Sequence, residues 1–296
     1  MADSSQEERA RRIAQSVREI PTLPAVMTHF LELIDNPSTS AARLASFISY
    51  DQAFTIKILK LANSAFYGLS RKVGTAELAL LILGFEEVRN LALTIAVIDA
   101  FKDKDFHQLV DVSDFWTHSV AVAAGCKVIA GARMLRSPGE LFVAGLLHDV
   151  GVLVMAQDAP EDFKKVAAKV RSEGIPQHQA ELELLGFTHA DVGWWLAKSW
   201  NLPLNQVGAI AHHHTPLASF LQPNPALPLY FANDLAWRAK YGLGIGKDAP
   251  GGEQGVYDKL DLKTTDGVTV DWQFYIDLLQ KEMVNAREYL ILLRHG

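Results

Sequence analysis

Leu141-Phe-Val-Ala-Gly-Leu-Leu-His-Asp-Val-Gly-Val-Leu-Val-Met155 reads as a core helix with a polar pair, His148-Asp149, in its middle. Apolar residues run all round the stretch, so it is buried on every face and not along one stripe. An aspartate in that setting costs on the order of several kcal/mol unless something pairs with it. Two partners would serve: a hydrogen bond from a core histidine or arginine, or a divalent cation with imidazole as co-ligand. The residues by themselves leave both open.

Outward from this stretch the pattern is helical nearly throughout, with apolar residues at three- and four-residue steps and little strand-like alternation. The spacing predicts about five short helices over residues 1–105, punctuated by Asn36-Pro37, Gly68 and Gly74-Thr75, with Ala76–Ile98 as two buried helices joined at Gly84. Asp114 is the expected N-cap of a second block. Helices are expected there at 114–130, 138–156, 160–173, 177–184, 189–200, 204–213 and 226–240. Between Tyr241 and Asp271 seven glycines mark a long irregular connection. Asp271 then caps one final helix, with Trp272, Tyr275, Leu279, Met283, Ala286 and Leu290 along a stripe. The expected division is therefore 1–105, an N-terminal helical lobe; 106–240, a helical bundle; and 241–296, the connection and C-terminal helix. The fold class is all-α.

Composition narrows the function. With 49% hydrophobic and 21% charged residues over 296, the chain can bury a sizeable core. A net charge of −6 argues against a sequence-blind grip on nucleic-acid phosphates. One cysteine, Cys126, excludes a disulfide framework and a cysteine-rich zinc finger, and fits a reducing compartment. The polar start, MADSSQEERARRIAQ, lacks the apolar stretch of a signal peptide, and Glu86, Glu87, Arg89 and Asn90 interrupt the longest apolar run. A cytoplasmic protein without a membrane span is expected. Gly242-Leu-Gly-Ile-Gly-Lys247 lacks the spacing of a phosphate-binding loop and reads as a flexible connector.

The histidines carry the chemistry. His118 lies in Phe115-Trp-Thr-His-Ser-Val, His189 opens His-Ala-Asp-Val-Gly-Trp-Trp-Leu, and His212-His213-His214 follow Val207-Gly-Ala-Ile-Ala. Taken singly, each has an ordinary structural explanation: a satisfied core histidine, a residue at a helix start, a helix end favoured by its dipole. Together, on neighbouring helices of one bundle, they match the way bundles build metal sites from inward-facing ligands.

The order His118, then His148-Asp149, then an Ala-Asn-Asp phrase near residue 233 resembles the HD superfamily of metal-dependent phosphohydrolases. Gly145-Leu-Leu-His-Asp-Val-Gly151 is close to its central motif. His189-Ala-Asp-Val-Gly193 and His213-His214 resemble the additional ligands of the HD-GYP cyclic-dinucleotide phosphodiesterases. Leu23-Pro-Ala-Val26, Asp51-Gln-Ala-Phe-Thr55, Leu61-Ala-Asn-Ser-Ala-Phe-Tyr-Gly68 and Leu83-Gly-Phe-Glu-Glu-Val-Arg-Asn-Leu91 resemble the HD-related output domain, HDOD, over about residues 18 to 240. That resemblance implies an N-terminal lobe packed on an HD-like bundle. It implies a bacterial signalling module that acts by binding a signalling protein or a nucleotide. It also implies one or two divalent transition ions (iron, manganese or zinc), one held by His118, His148, Asp149 and Asn233, the other by His189, His213, His214 and a bridging Asp149. The other function it implies is a phosphohydrolase acting on a nucleotide or cyclic dinucleotide.

This chain departs from the enzymes at four places. Asn233 stands where an aspartate ligand is usual. Asp234, one residue on, is turned by about 100° on a helix and does not replace it. Val152 stands for the lysine that follows the His-Asp motif, Thr215 for the glutamate after the paired histidines, and the Gly-Tyr-Pro loop is absent. The expectation is a retained metal site with weakened catalysis.

Overall fold

The computed structural model describes residues 22–102, 106, 108–243, 254–262, 264–266 and 269–295. The polar start and most of the 242–247 glycine motif lie outside these residues. Among them the secondary structure is helical, with one isolated antiparallel bridge, Thr264 to Val270, and no strand. The chain forms two compact units: Thr22–Asp103 together with Glu282–Gly296, and Lys104–Lys281.

In the first unit, α1 (Ala25–Asp35), α2 (Ala41–Tyr50), α3 (Gln52–Ala62) and α4 (Ala76–Phe101) enclose Phe30, Leu44, Ile48, Ile58 and Leu61, all fully buried. Ser40, Asp51 and Thr75 cap α2, α3 and α4 through their side chains, each satisfying a backbone N–H three residues on. Gly84 breaks α4 with φ 83° and ψ 170°, a conformation open to glycine and strained for other residues. The stretch is less buried than its apolarity predicts: Leu81 is 80% exposed and Ile82 45%. The C-terminal segment belongs to this unit. Tyr289 packs edge-on against Phe66, and Lys60 pairs with Glu288 at 3.3 Å.

The second unit holds α5 (Val112–Arg133), α6 (Pro138–Leu147), α7 (Val150–Asp158), α8 (Pro160–Glu173), α9 (Gln177–Leu185), α10 (His189–Ser199), α11 (Leu204–Ala211), α12 (Ala226–Arg238) and α13 (Gln254–Leu260). Its central layer is α5, packed against both α6 and α12. Cys126, on α5, is free and fully buried, and burial pushes its thiol up. Pro138–Asp158 is apolar enough to cross a membrane, but its apolar 18-residue window is 89% buried within the protein.

Several elements differ from their sequence expectations. The cap of α5 is Asp111, whose carboxylate accepts from the Asp114 N–H at 2.9 Å, so Asp114 sits in the first turn. The expected irregular connection contains α13. The expected single C-terminal helix is two, Trp272–Asn285 and Arg287–His295 (α14 and α15), and the break at Ala286 buries Tyr289 in place of Leu290. The most consequential difference lies in 138–156, expected as one helix. It breaks at His148–Asp149, where Asp149 has φ −101° and ψ 9°.

Gly151, just past that break, fixes how closely α7 meets α10. A Cβ at this position would lie 2.1 Å from the His189 carbonyl oxygen and 3.0 Å from the Gly193 nitrogen, both backbone atoms that cannot rotate away. Gly151→Ala is expected to lower unfolding free energy by about 1–3 kcal/mol in guanidinium titrations, the usual cost of overpacking. Wild-type stability in that variant would show the contact to be loose.

Candidate metal centre

Four parts of the chain bring the site together. α5 supplies His118, the α6–α7 break His148 and Asp149, the start of α10 His189, and the turn after α11 His213 and His214. Thr188 fixes the start of α10 through a reciprocal capping box with Asp191. The helix-end reading of the triple histidine holds as far as His212, which caps α11, while His213 and His214 turn into the core. On a continuous helix His148 and Asp149 would point about 100° apart. The break lets both face one point.

The side chains converge on the Asp149 carboxylate. Its Oδ1 lies 3.3 Å from His189 Nε2 and 3.3 Å from His213 Nε2. Its Oδ2 lies 3.1 Å from His148 Nε2 and 3.6 Å from His118 Nε2. His189 Nε2 is also 2.8 Å from His214 Nε2 and 3.3 Å from His213 Nε2. These donors form two overlapping groups that can each hold an ion: Asp149, His189, His213 and His214; and His118, His148 and Asp149.

What aims them is the other ring nitrogen. His118 Nδ1 donates to the Tyr241 carbonyl at 2.7 Å, His148 Nδ1 to Gly145 at 2.8 Å and His213 Nδ1 to Ile210 at 2.7 Å. A carbonyl oxygen only accepts, so in all three rings Nδ1 carries a proton, and when the ring is neutral Nε2 is the nitrogen with the lone pair. His189 Nδ1 donates instead to Glu181 Oε2 at 2.7 Å. Four imidazoles, each anchored through Nδ1 with Nε2 turned to one carboxylate, form a metal-ligand arrangement. Ligands about 2.0–2.1 Å from a common centre lie roughly 2.8–3.4 Å from their neighbours in octahedral or tetrahedral geometry, which matches most of the separations above. Nε2 of His118, Nε2 of His148 and Oδ1 of Asn233 are buried without a hydrogen-bond partner. The donor set therefore fits a divalent ion, and one would satisfy the lone pairs that protein leaves unmet.

Asn233 lies on α12 one turn before Trp237, whose ring stands 6.2 Å from that of His118. Asp234 faces elsewhere, as helix geometry predicts. It is 1% exposed, accepts from Arg238 Nε at 3.0 Å and from the Tyr257 hydroxyl in a short contact, and burial raises it above the usual carboxylate range. Val152 is buried in α7 and Thr215 is exposed.

Two residues escaped the sequence reading. Glu181, on α9 and fully buried, accepts from the His189 backbone N–H at 2.8 Å and from Gln177 Nε2 at 2.8 Å in addition to His189 Nδ1. His178, three residues earlier, stacks on His214 with ring centres 4.1 Å apart and planes 20° apart. In sequence both occupy a polar-looking helix, Gln177-His-Gln-Ala-Glu181, and nothing local marks Glu181 as buried.

Residues 20–216 match the model of the HDOD domain family. The chain belongs to the HDOD family. A solved HDOD domain protein of unknown function from Geobacter sulfurreducens is 26% identical, superposes with a TM-score of 0.76, and is covered over 99% of its length by 100% of this chain. A candidate phosphohydrolase from Shewanella amazonensis SB2B is 26% identical with a TM-score of 0.72, covering 95% of this chain and 98% of its own. An uncharacterized protein of Treponema pallidum (strain Nichols) is 26% identical over 208 residues, 69% of this HDOD chain. The match spans only 39% of that relative's length.

The site's electrostatics give a pH signature. Burial pulls His148 and His178 down to about 4 from an ordinary value of 6.5, and burial with three neighbouring histidines holds His214 well below that value. Burial alone would also lower His189, but Glu181 and Asp149 outweigh it and hold this ring well above. Burial alone would raise Asp149, but the histidines around it hold its carboxyl well below the usual range. As pH falls from 6.5 towards 4, the unfolded chain takes up protons that folded His148, His178 and His214 refuse, so stability falls. His189 does not offset this, because below 6.5 it is protonated in both states. Chelator-treated protein is expected to show a steadily falling melting temperature between pH 6.5 and 4. A flat or rising profile over that interval would contradict the buried, neutral imidazoles.

Proposed function

We propose that this HDOD chain is a cytoplasmic signal-transduction module that binds a signalling protein or nucleotide and retains a transition-metal centre without efficient hydrolysis. The observation that carries the metal half is the anchoring of His118, His148, His189 and His213 through Nδ1, with Nε2 of each turned to Asp149. Imidazole-rich ligation favours iron, manganese or zinc over magnesium. His118, His148, Asp149 and Asn233 would hold one ion, and His189, His213, His214 and Asp149 the other.

When bound, such an ion supplies Lewis acidity towards a phosphoryl oxygen and activates water. The surrounding side chains give that chemistry little help. Val152 offers no positive charge to a phosphate and is packed in the core. Thr215 points to solvent, and Asn233 contributes an amide without negative charge. Asp149, His118, His148, His189 and His213 are each at most 5% exposed, leaving little room for a substrate phosphate to reach them.

The second reading, a metal-dependent phosphohydrolase, draws on the same donor set and on the description of the Shewanella amazonensis neighbour. One set of measurements separates the two. Untagged protein is expected to carry metal by elemental analysis. Chelation is expected to lower its melting temperature by several degrees, because an ion that binds only the folded state stabilises it. Turnover of nucleotides and cyclic dinucleotides with manganese, iron or zinc is expected to stay at the level of Asp149→Ala. Turnover that this substitution abolishes would establish the hydrolase instead.

A further inference from the structure

The two groups of donors share Asp149 but differ in what stands behind them. In the first, His189 is backed by the buried carboxylate of Glu181, which takes its Nδ1–H at 2.7 Å and its backbone N–H at 2.8 Å. Glu181 is itself held by Gln177 Nε2 at 2.8 Å, so its orientation is fixed from both oxygens. In the second group, made of His118, His148 and the shared Asp149, the two rings are backed by the neutral carbonyls of Tyr241 and Gly145. A carboxylate behind a ligating imidazole makes the ring more basic and locks its direction, whereas a carbonyl supplies direction with less charge. Two carboxylates thus stand close to the first position, and only the shared Asp149 to the second. An ion held by the first group would compensate that shared charge, and a second cation nearby would meet repulsion.

We propose that the centre is asymmetric: Glu181, as a positioning residue behind His189, makes the His189–His213–His214–Asp149 position the tight one, and the His118–His148–Asn233 position fills weakly or not at all. The inference rests on the metal-binding reading above and adds to it which half of the centre is occupied first and why.

Cobalt(II) is a suitable probe, since its affinity can be followed by calorimetry and its coordination by visible absorption. Metal-free full-length protein is expected to bind one cobalt ion tightly, with any second ion at least about tenfold weaker. Glu181→Gln is expected to weaken the tight ion by about 10–100-fold, the usual effect of removing such a partner, and to alter its absorption spectrum. Glu181→Asp is expected to recover part of the loss. Asn233→Ala is expected to leave the tight ion within twofold, and Asn233→Asp to strengthen the second. Circular dichroism of each metal-free variant controls for folding. Should Glu181→Gln fail to fold, His214→Asn against His118→Asn asks the same question, with the tight ion lost only in the former.

The proposal is overturned by two ions of equal affinity, by Glu181→Gln within twofold of wild type, or by loss of the tight ion in Asn233→Ala or His118→Asn with His214→Asn unaffected. Those outcomes leave the metal-binding reading standing. Wild-type protein that binds no cobalt overturns both.

Discussion

Asp149 is a carboxylate 5% exposed in the interior of a helical unit, and the imidazoles around it keep it ionised against the cost of burial. Each of those imidazoles is aimed by a hydrogen bond on its far side, three to backbone carbonyls and one to Glu181. The local backbone around the site serves this geometry. The break at Asp149 turns two adjacent side chains to one point, the Thr188 box fixes where α10 begins, and Gly151 lets α7 approach the His189 backbone.

The side chains that could hold an ion lie together and are largely buried. Val152, Thr215 and Asn233 carry no charge that could engage a phosphate. A centre of this kind can tie together α5, the α6–α7 break, α10 and the turn after α11, and so couple an ion to the packing of the bundle.

Much of the fold was legible. The apolar periodicity located most helices of the second unit to within a few residues, and Thr75, Gly84 and Asp271 acted as the sequence indicated. The failures have physical causes. The stretch 138–156 has no proline or glycine cluster at His148–Asp149 to announce a break, because its conformation is set by what the two polar side chains face in the folded core. The cap of α5 was misplaced because Asp111 and Asp114 are chemically equivalent and only backbone geometry distinguishes N-cap from first turn. The C-terminal helix was read as continuous because its apolar stripe carries across Ala286, although the backbone does not.

By itself the sequence determined the all-α class and the family, because helical period and ordered motifs are local properties carried in the residue string. It even separated Asn233 from Asp234, since a helix fixes their angular offset. Only the tertiary structure decided that rings from His118 to His214 share one carboxylate, and that Glu181 stands behind His189. Those relations depend on where distant helices meet, and a glutamate on a polar-looking helix becomes a buried partner only when its neighbour in space brings an N–H to it.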